Sequence, residues 1–159
     1  MLKHTLSALI FGLFINFSAG ASMVSFFIVE AGLPESRAET RHSTVWENAF
    51  MDVFFEAGHI VSNAPILRLD RKPQDDILQT VAFDISDARL FGIDYIIIAI
   101  LDFTENLPLP AEISFFIYSV NTGERIHEKQ IPGKTYRTSR EEFDDLKSIA
   151  RGLAPFISQ

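Results

Sequence analysis

Residues 94–133 constrain the fold of this 159-residue chain more than any other stretch. Within them, residues 95–101 are consecutive apolar residues dominated by isoleucine. A run this short and this rich in β-branched side chains is typical of a central strand buried on both faces of a sheet. Asn121-Thr122-Gly123 lies further on between two β-prone segments. Because asparagine and glycine tolerate positive φ, this tripeptide predicts the turn of a β-hairpin.

The rest of the chain alternates between strand and helix patterns. Period-2 and period-3.6 hydrophobicity predicts strands at residues 24–31, 59–69, 95–103, 111–120 and 124–131, and helices at residues 43–57, 74–91 and from 139 onwards. Pro65 cannot donate to a strand ladder, so the second strand is an edge strand or is broken by a bulge. The predicted order is β-α-β-α-β-β-β-α. We therefore expect an α/β (α+β) domain in which three helices pack on a mixed sheet.

Helix ends are marked by side chains that can satisfy free backbone groups. Thr44 and Glu47 fit a capping box at the start of the first helix. Ser139 and Glu142 fit a second one at the start of the last helix. Gly58 stands where a left-handed carboxyl cap is expected.

Aromatic residues are numerous, with 15 phenylalanines and 47% apolar residues overall. Trp46, Phe50 and Phe54 recur every four residues, which predicts a buried helix face rather than a ligand groove. Phe115 and Phe116 are adjacent, so their side chains point to opposite faces of a strand. If one face of the sheet lacks a helix, one of these two rings is an exposed anchor.

Residues 1–21 have the pattern of a signal peptide. A short, weakly basic start precedes the mostly apolar residues 6–17, and residues 19–21 form a small-x-small cleavage site. We expect the mature protein to begin at Ser22, to form a single α/β domain over residues 22–159, and to be periplasmic or secreted with no membrane span. A retained anchor is the alternative, although the apolar core falls short of the about 20 residues that a spanning helix needs.

The composition limits both chemistry and partners. There is no cysteine, which excludes disulfides, cysteine-ligated zinc, thiol catalysis and an amino-terminal lipid on cysteine. The formal charge is −7, and removal of Lys3 with the signal peptide makes it −8. Such a surface repels phosphate backbones, so we expect no nucleic-acid partner and favour a basic protein surface.

Residues that could carry chemistry are few. The chain lacks a glycine-rich phosphate loop, a His-x-x-x-His pair and a Gly-x-Ser-x-Gly elbow, so we expect no cofactor, no metal and no catalytic set. The histidines of the mature chain fall in three separate elements, at His42, His59 and His127.

Three carboxylates are candidates for a ligand site. Glu30 interrupts an apolar strand, and the alternative is that the strand ends there and Glu30 faces water. Asp102 and Glu105 follow the central strand, where open α/β sheets often bind ligands, although ordinary loop polarity also explains them. Asp144 and Asp145 lie in the first turn of the last helix, where the helix dipole alone accounts for negative charge.

The hairpin region carries a resemblance. A buried strand, the sequence Tyr-Ser-Val-Asn-Thr-Gly at residues 118–123 and a closing amphipathic helix resemble the amino-terminal domain of TolB and the CsgG-like and LpoB-like envelope modules. Ser119 replaces the acidic residue of that pattern, no β-propeller follows, and no lipidation cysteine is present. The resemblance implies a non-enzymatic protein that recognises a partner or assembles in the cell envelope.

We therefore expect an exported protein-interaction or assembly module with an unidentified envelope partner, and self-association as a further option. The polar last strand is the expected exposed edge, and partner binding should involve Glu124, Arg125, His127 and Lys129, or the adjacent loop at residues 32–42. Proline at Lys129 should weaken binding and leave the fold intact, provided that its amide points outward. The alternative is a small-ligand-binding protein or hydrolase that uses the carboxylates after the central strand.

Overall fold

The predicted mixed sheet packed by three helices is confirmed. The computed structural model describes residues 21–33, 41–73, 77–80, 85–103 and 109–157. The strands in these ranges are β1 (Met23–Ala31), β2 (Ile60–Asn63), β3 (Leu67–Leu69), β4 (Tyr95–Asp102), β5 (Glu112–Ser119) and β6 (Arg125–Pro132). The helices are α1 (Arg41–Glu56), α2 (Ile77–Thr80), α3 (Ile85–Leu90) and α4 (Ser139–Leu153), with a 3₁₀ turn at Ala154–Phe156. The segments α2 and α3 are the described parts of the predicted second helix.

The apolar run that was predicted as a central strand becomes β4, which lies inside the sheet. The strand order is β2-β1-β4-β5-β6, and β3 pairs with the same side of β1 as β2. The pairs of β1 with β2, β3 and β4 are parallel, while β4–β5 and β5–β6 are antiparallel. The predicted second strand is thus interrupted around Pro65, as expected for a residue without an amide hydrogen.

Each face of the sheet carries its own apolar core. The larger core lies under α1 and α4 and is organised by Phe50, which is fully buried. The smaller core lies on the opposite face under α2 and α3. Phe115 points into the larger core and is fully buried, whereas Phe116 is half-buried on the other face. The less covered ring is therefore Phe116, and the guanidinium of Arg125 lies 5.6 Å from its centre.

Both predicted capping boxes are displaced in the structure. Thr44 cannot cap α1, because the helix already includes Arg41. In α4 the cap is Thr138, whose hydroxyl accepts a 3.1 Å hydrogen bond from the amide of Glu141. The Glu141 carboxylate in turn accepts from the backbone of Arg137, so the reciprocal pair lies one residue earlier than predicted. The carboxyl cap at Gly58 is confirmed by its φ of 89°.

The two ends of the sheet differ in what surrounds them. We call the end at which β1 and β4 begin the amino end, and the opposite one the carboxyl end. Because α1 and α3 connect parallel strands, both helices finish at the amino end, where the β5–β6 turn also lies. The segment between β6 and α4 lies at the carboxyl end. None of the helices in the described ranges has the length and apolar content needed to cross a bilayer.

Candidate functional site

The outer strand β6 forms one edge of the sheet. Among the described strands it pairs only with β5, so its other side has no strand neighbour. Its side chains alternate between exposed and half-buried along most of its length. The predicted exposed edge is thus confirmed in position, and the strand that forms it is eight residues long.

The direction of the β6 amides corrects one expectation. The amide of Gly133, just after β6, donates to Ala111 O at 2.8 Å, so it points toward β5. Amide direction alternates along a strand, and the register from Ile131 back to His127 is regular. Lys129 therefore also points its amide toward β5, and proline there would remove a ladder bond. The outward amides belong to Glu128 and Gln130.

A natural residue supports this assignment. Pro132 occupies the next position of the outward set, where a missing amide hydrogen leaves the β5–β6 ladder intact. Proline on the outward positions of β6 is therefore compatible with the fold.

The predicted interaction residues lie on both faces of β6. Arg125 pairs with Glu128 at 3.1 Å, and both side chains are about half exposed. His127 points toward α4 and stacks on Phe156 with a ring separation of 3.6 Å. Lys129 shares that face and lies against Gly152 of α4. Glu124 is exposed in the turn before β6. Two of the four side chains thus contact α4 or the 3₁₀ turn that follows it, which makes the backbone the more available feature of this edge.

The three predicted ligand carboxylates do not form one site in the described residues. Glu30 faces α1, since its register partner Leu101 lies in the core on that side. Asp102 faces the opposite side of the sheet, and Glu105 lies outside the described residues. A centre that uses Glu30 and Asp102 together would need both carboxylates on one face.

Glu30 is buried rather than turned to water, so the water-facing alternative is wrong. Its side chain is 1% exposed. One carboxylate oxygen accepts from the Ser43 hydroxyl in the first described turn of α1, and the other accepts from Arg68 Nε at 2.9 Å. Arg68 is the register partner of Glu30 on β3. The buried charge is compensated by this pairing and ties α1 and β3 to β1.

A second charged pair crosses the other face of the sheet. Lys72 donates to Glu112 on β5 and lies 3.3 Å from the Ser114 hydroxyl. Hydrogen bonds from Lys72 and Gln130 lower the pKa of the Glu112 carboxyl. This pair joins the segment after β3 to β5 in a partly exposed setting, which favours a structural role.

A cavity of about 230 Å³ lies at the carboxyl end of the sheet. Trp46 lines it, and Tyr136 donates a 2.8 Å hydrogen bond to Asp145 there. Lys134 pairs with the same carboxylate oxygen at 3.1 Å. Burial and the bond to Asp145 raise the pKa of Tyr136, so the phenol stays neutral. Burial opposes ionisation of Asp145, but the bonds from Tyr136 and Lys134 outweigh it and lower the pKa of its carboxyl.

This cluster gives Asp145 a role that the helix-dipole explanation missed. Its three polar members satisfy one another and fasten the segment after β6 to α4. Neither Tyr136 nor Lys134 belongs to a recognisable motif, so sequence spacing offered no signal for the cluster.

The histidines and carboxylates are scattered. The side chain of His42 lies outside the described residues. His59 is buried beside the ring of Phe54, and its Nδ1 has no hydrogen-bond partner among the described residues. In the described ranges, His, Asp and Glu form no group of three or more that could hold a metal ion.

Comparisons with known proteins give similarity in overall shape only. No protein-family profile matches the chain, and no curated protein sequence matches it significantly. The structure is similar to a PelC dodecamer subunit from Paraburkholderia phytofirmans, with 14% identity, a TM-score of 0.47, and coverage of 87% of this chain and 90% of that one. TolB from Acinetobacter baumannii gives 14% identity and a TM-score of 0.47, with coverage of 86% of this chain but 28% of TolB.

Lipoprotein GNA1162 from Neisseria meningitidis is also similar, with 10% identity, a TM-score of 0.44, and coverage of 86% of this chain and 99% of that one. TolB, which was expected from the hairpin sequence, is thus one of the similar structures. The CsgG-like and LpoB-like parts of that resemblance stay predictions. Since all three scores lie below 0.5, the likeness carries no inference about function.

Proposed function

We propose that this protein is an exported, non-enzymatic module of the cell envelope that binds a protein partner by adding a strand to β6. The observation that carries the proposal is that β6, an eight-residue strand, pairs only with β5 among the described strands. Strand addition needs unpaired backbone amides and carbonyls, and it needs no catalytic side chain. The outward amides of Glu128 and Gln130 are the donors that a partner strand would use.

The charge of the chain as a whole favours a partner of opposite charge. The whole chain carries a formal charge of −7, so a basic partner segment is favoured over an acidic one. Pairing with β6 of a second copy is the self-associating form of the same proposal.

The small-ligand or hydrolase alternative has less support. It relies on carboxylates after the central strand, yet Glu30 and Asp102 lie on opposite faces of the sheet. Glu30 is also held by Ser43 and Arg68, which leaves neither of its oxygens without a donor.

The proposal is tested by proline substitution at Glu128. Glu128→Pro removes one outward amide, while Glu128→Ala removes the same side chain and keeps the amide. We expect affinity capture from envelope extract to recover one stoichiometric partner with wild type and Glu128→Ala, and to lose it with Glu128→Pro. Light scattering on the purified variants separates a second copy from a foreign partner.

Lys129→Pro is the orientation control. Because its amide points toward β5, this substitution should destabilise the fold by about 1–3 kcal/mol, the cost of a broken buried hydrogen bond. Equal capture by Glu128→Pro and Glu128→Ala, with both proteins folded, would place the interface away from the β6 edge. If Glu128→Pro unfolds and Lys129→Pro stays folded, then the Lys129 amide points outward and the Glu128 amide points toward β5, the reverse of this assignment.

A further inference from the structure

Exposed large apolar side chains are concentrated at one end of the molecule. In the described residues they are Phe55, Ile60, Leu90, Phe91 and Ile126, which are between 41% and 83% exposed. We call this set the apolar end. Isolated apolar residues are common on protein surfaces, so the informative feature is that all five lie at the same end of the sheet.

The topology explains why these residues meet. Phe55 lies in the last turn of α1, and Ile60 begins β2. Leu90 ends α3, and Phe91 follows it before β4 begins. Ile126 is the second residue of β6, just after the β5–β6 turn. Each of these positions is at the amino end of the sheet, and they come from both of its faces.

The described chain enters the fold at the same place. The carbonyl of Ser22 accepts from the amide of Ile60 at 3.0 Å, next to one apolar side chain. On the other side of β1, the carbonyl of Met23 accepts from Asp94 at 2.8 Å, and Asp94 Oδ2 accepts from the Met23 amide at 2.8 Å. The described chain therefore begins beside Ile60 at the apolar end, and residues 6–17 of the sequence before it are mostly apolar.

We propose that the apolar end rests on a lipid bilayer, with Phe55 and Phe91 inserted below the headgroups on either side of the point where the chain enters. Phenylalanine and leucine are the side chains that peripheral proteins bury at the boundary between headgroups and acyl chains. Phe55 lines a cavity with Met51 and Phe143 on the α1 face, while Leu90 and Phe91 lie at the end of α3 on the opposite face. A flat, fluid surface can contact both sides of the sheet at once, which a single groove cannot do.

The net charge of the molecule indicates which lipid headgroups the bilayer should carry. At a formal charge of −7, the chain gains nothing from anionic headgroups, so insertion of the apolar side chains is the driving force. Zwitterionic phosphatidylcholine is therefore the appropriate probe, and added salt should have little effect. Resting on the sheet end leaves the edge of β6 accessible, so this inference is independent of partner binding there.

Fluorescence quenching by brominated lipid tests the proposal on the full chain. The only tryptophan, Trp46, is 3% exposed and lines the cavity at the carboxyl end, so wild type supplies a reporter far from the bilayer. Phe55→Trp and Phe91→Trp, each in a Trp46→Phe background, place reporters at the apolar end. Inserted rings lie about 5–10 Å into the boundary, and we expect brominated phosphatidylcholine to lower their emission about twofold and to leave Trp46 emission unchanged.

Several outcomes would overturn the proposal. If the chain co-floats with vesicles but neither reporter is quenched, then residues 1–20 bind the lipid and the folded domain does not contact the bilayer. Quenching at only one of the two reporters would show that the bilayer does not contact both faces of the sheet. Reporters that are shielded without lipid in a species of doubled mass would show that a second copy covers the apolar end. Circular dichroism of each reporter variant confirms that its fold is retained.

Discussion

Phe50 and Phe55 offer a paired test of the larger core. Phe50 is fully buried, and its ring stacks on Phe26 at 4.8 Å and on Phe115 at 5.3 Å. Phe55, five residues further along the same helix, is 73% exposed. Phe50→Ala should lower the free energy of unfolding by about 3–5 kcal/mol, the range for truncating a buried phenylalanine.

Two features place the expected value in the upper part of that range. Phe50 has four aromatic neighbours, and each such pair adds about 0.5–1.5 kcal/mol beyond the buried area. Its neighbours belong to α1, β1 and β5, so they cannot close together into the space without moving separate elements. The whole domain has about 5–15 kcal/mol of stability, so the loss is a large share of it.

Urea and thermal unfolding followed by circular dichroism measure the effect. For a chain of this size, each kcal/mol of lost stability lowers Tm by about 3 °C. Phe50→Ala should therefore melt about 10 °C or more below wild type. Phe55→Ala should stay within about 0.5 kcal/mol of wild type, as expected for an exposed position. Equal losses in the two variants, or a Phe50→Ala Tm within about a degree of wild type, would refute this account of the core.

Two further predictions concern charged groups. Arg68→Ala leaves one oxygen of the buried Glu30 carboxylate without its donor and should lower the free energy of unfolding by about 1–3 kcal/mol. The loss should be smaller when Glu30→Gln is already present. Additive losses in this double-mutant cycle would show that the two side chains do not interact. The lowered pKa of Asp145 means that its bonds stabilise the fold above the ordinary carboxyl pKa of about 3.9, and that this contribution is lost as pH falls through the folded-state value. Tyr136→Phe should therefore destabilise the protein by a constant amount near neutral pH, and by less as the pH falls below the ordinary carboxyl pKa of about 3.9. An effect that does not change with pH in urea titrations would contradict the assignment.

Elements specified by local sequence were predicted well. The apolar run that becomes β4 and the turn at residues 121–123 each contain their own signal, because burial on two faces and positive φ depend on a few adjacent residues. Gly123 indeed has a φ of 75°. The start of α1 was misplaced because Thr44 and Glu47 have the spacing of a cap, whereas the helix extends further toward its amino terminus.

Features that depend on distant residues were not predictable in this way. Glu30 is separated from Arg68 by 38 residues, so nothing near it in sequence shows how a buried carboxylate is compensated. Hydrophobic alternation identifies the faces of β6 but does not say which amides point toward β5. That direction requires the register with β5, and it decides that Glu128, rather than Lys129, is the informative position for proline.

The apolar end is also a feature that sequence patterns alone did not predict. Helical periodicity leaves Phe55, Leu90 and Phe91 outside the buried stripes, which on its own marks them only as unexplained apolar residues. Their meaning depends on chain direction, because α1 and α3 run back along parallel strands and must finish beside the start of β1. Phe55 in α1 and Phe91 just after α3 therefore lie on opposite faces of the sheet at the same end. A hydropathy plot separates Phe55 from Leu90 and Phe91 by more than thirty positions, and only the parallel topology brings them to the same end of the sheet.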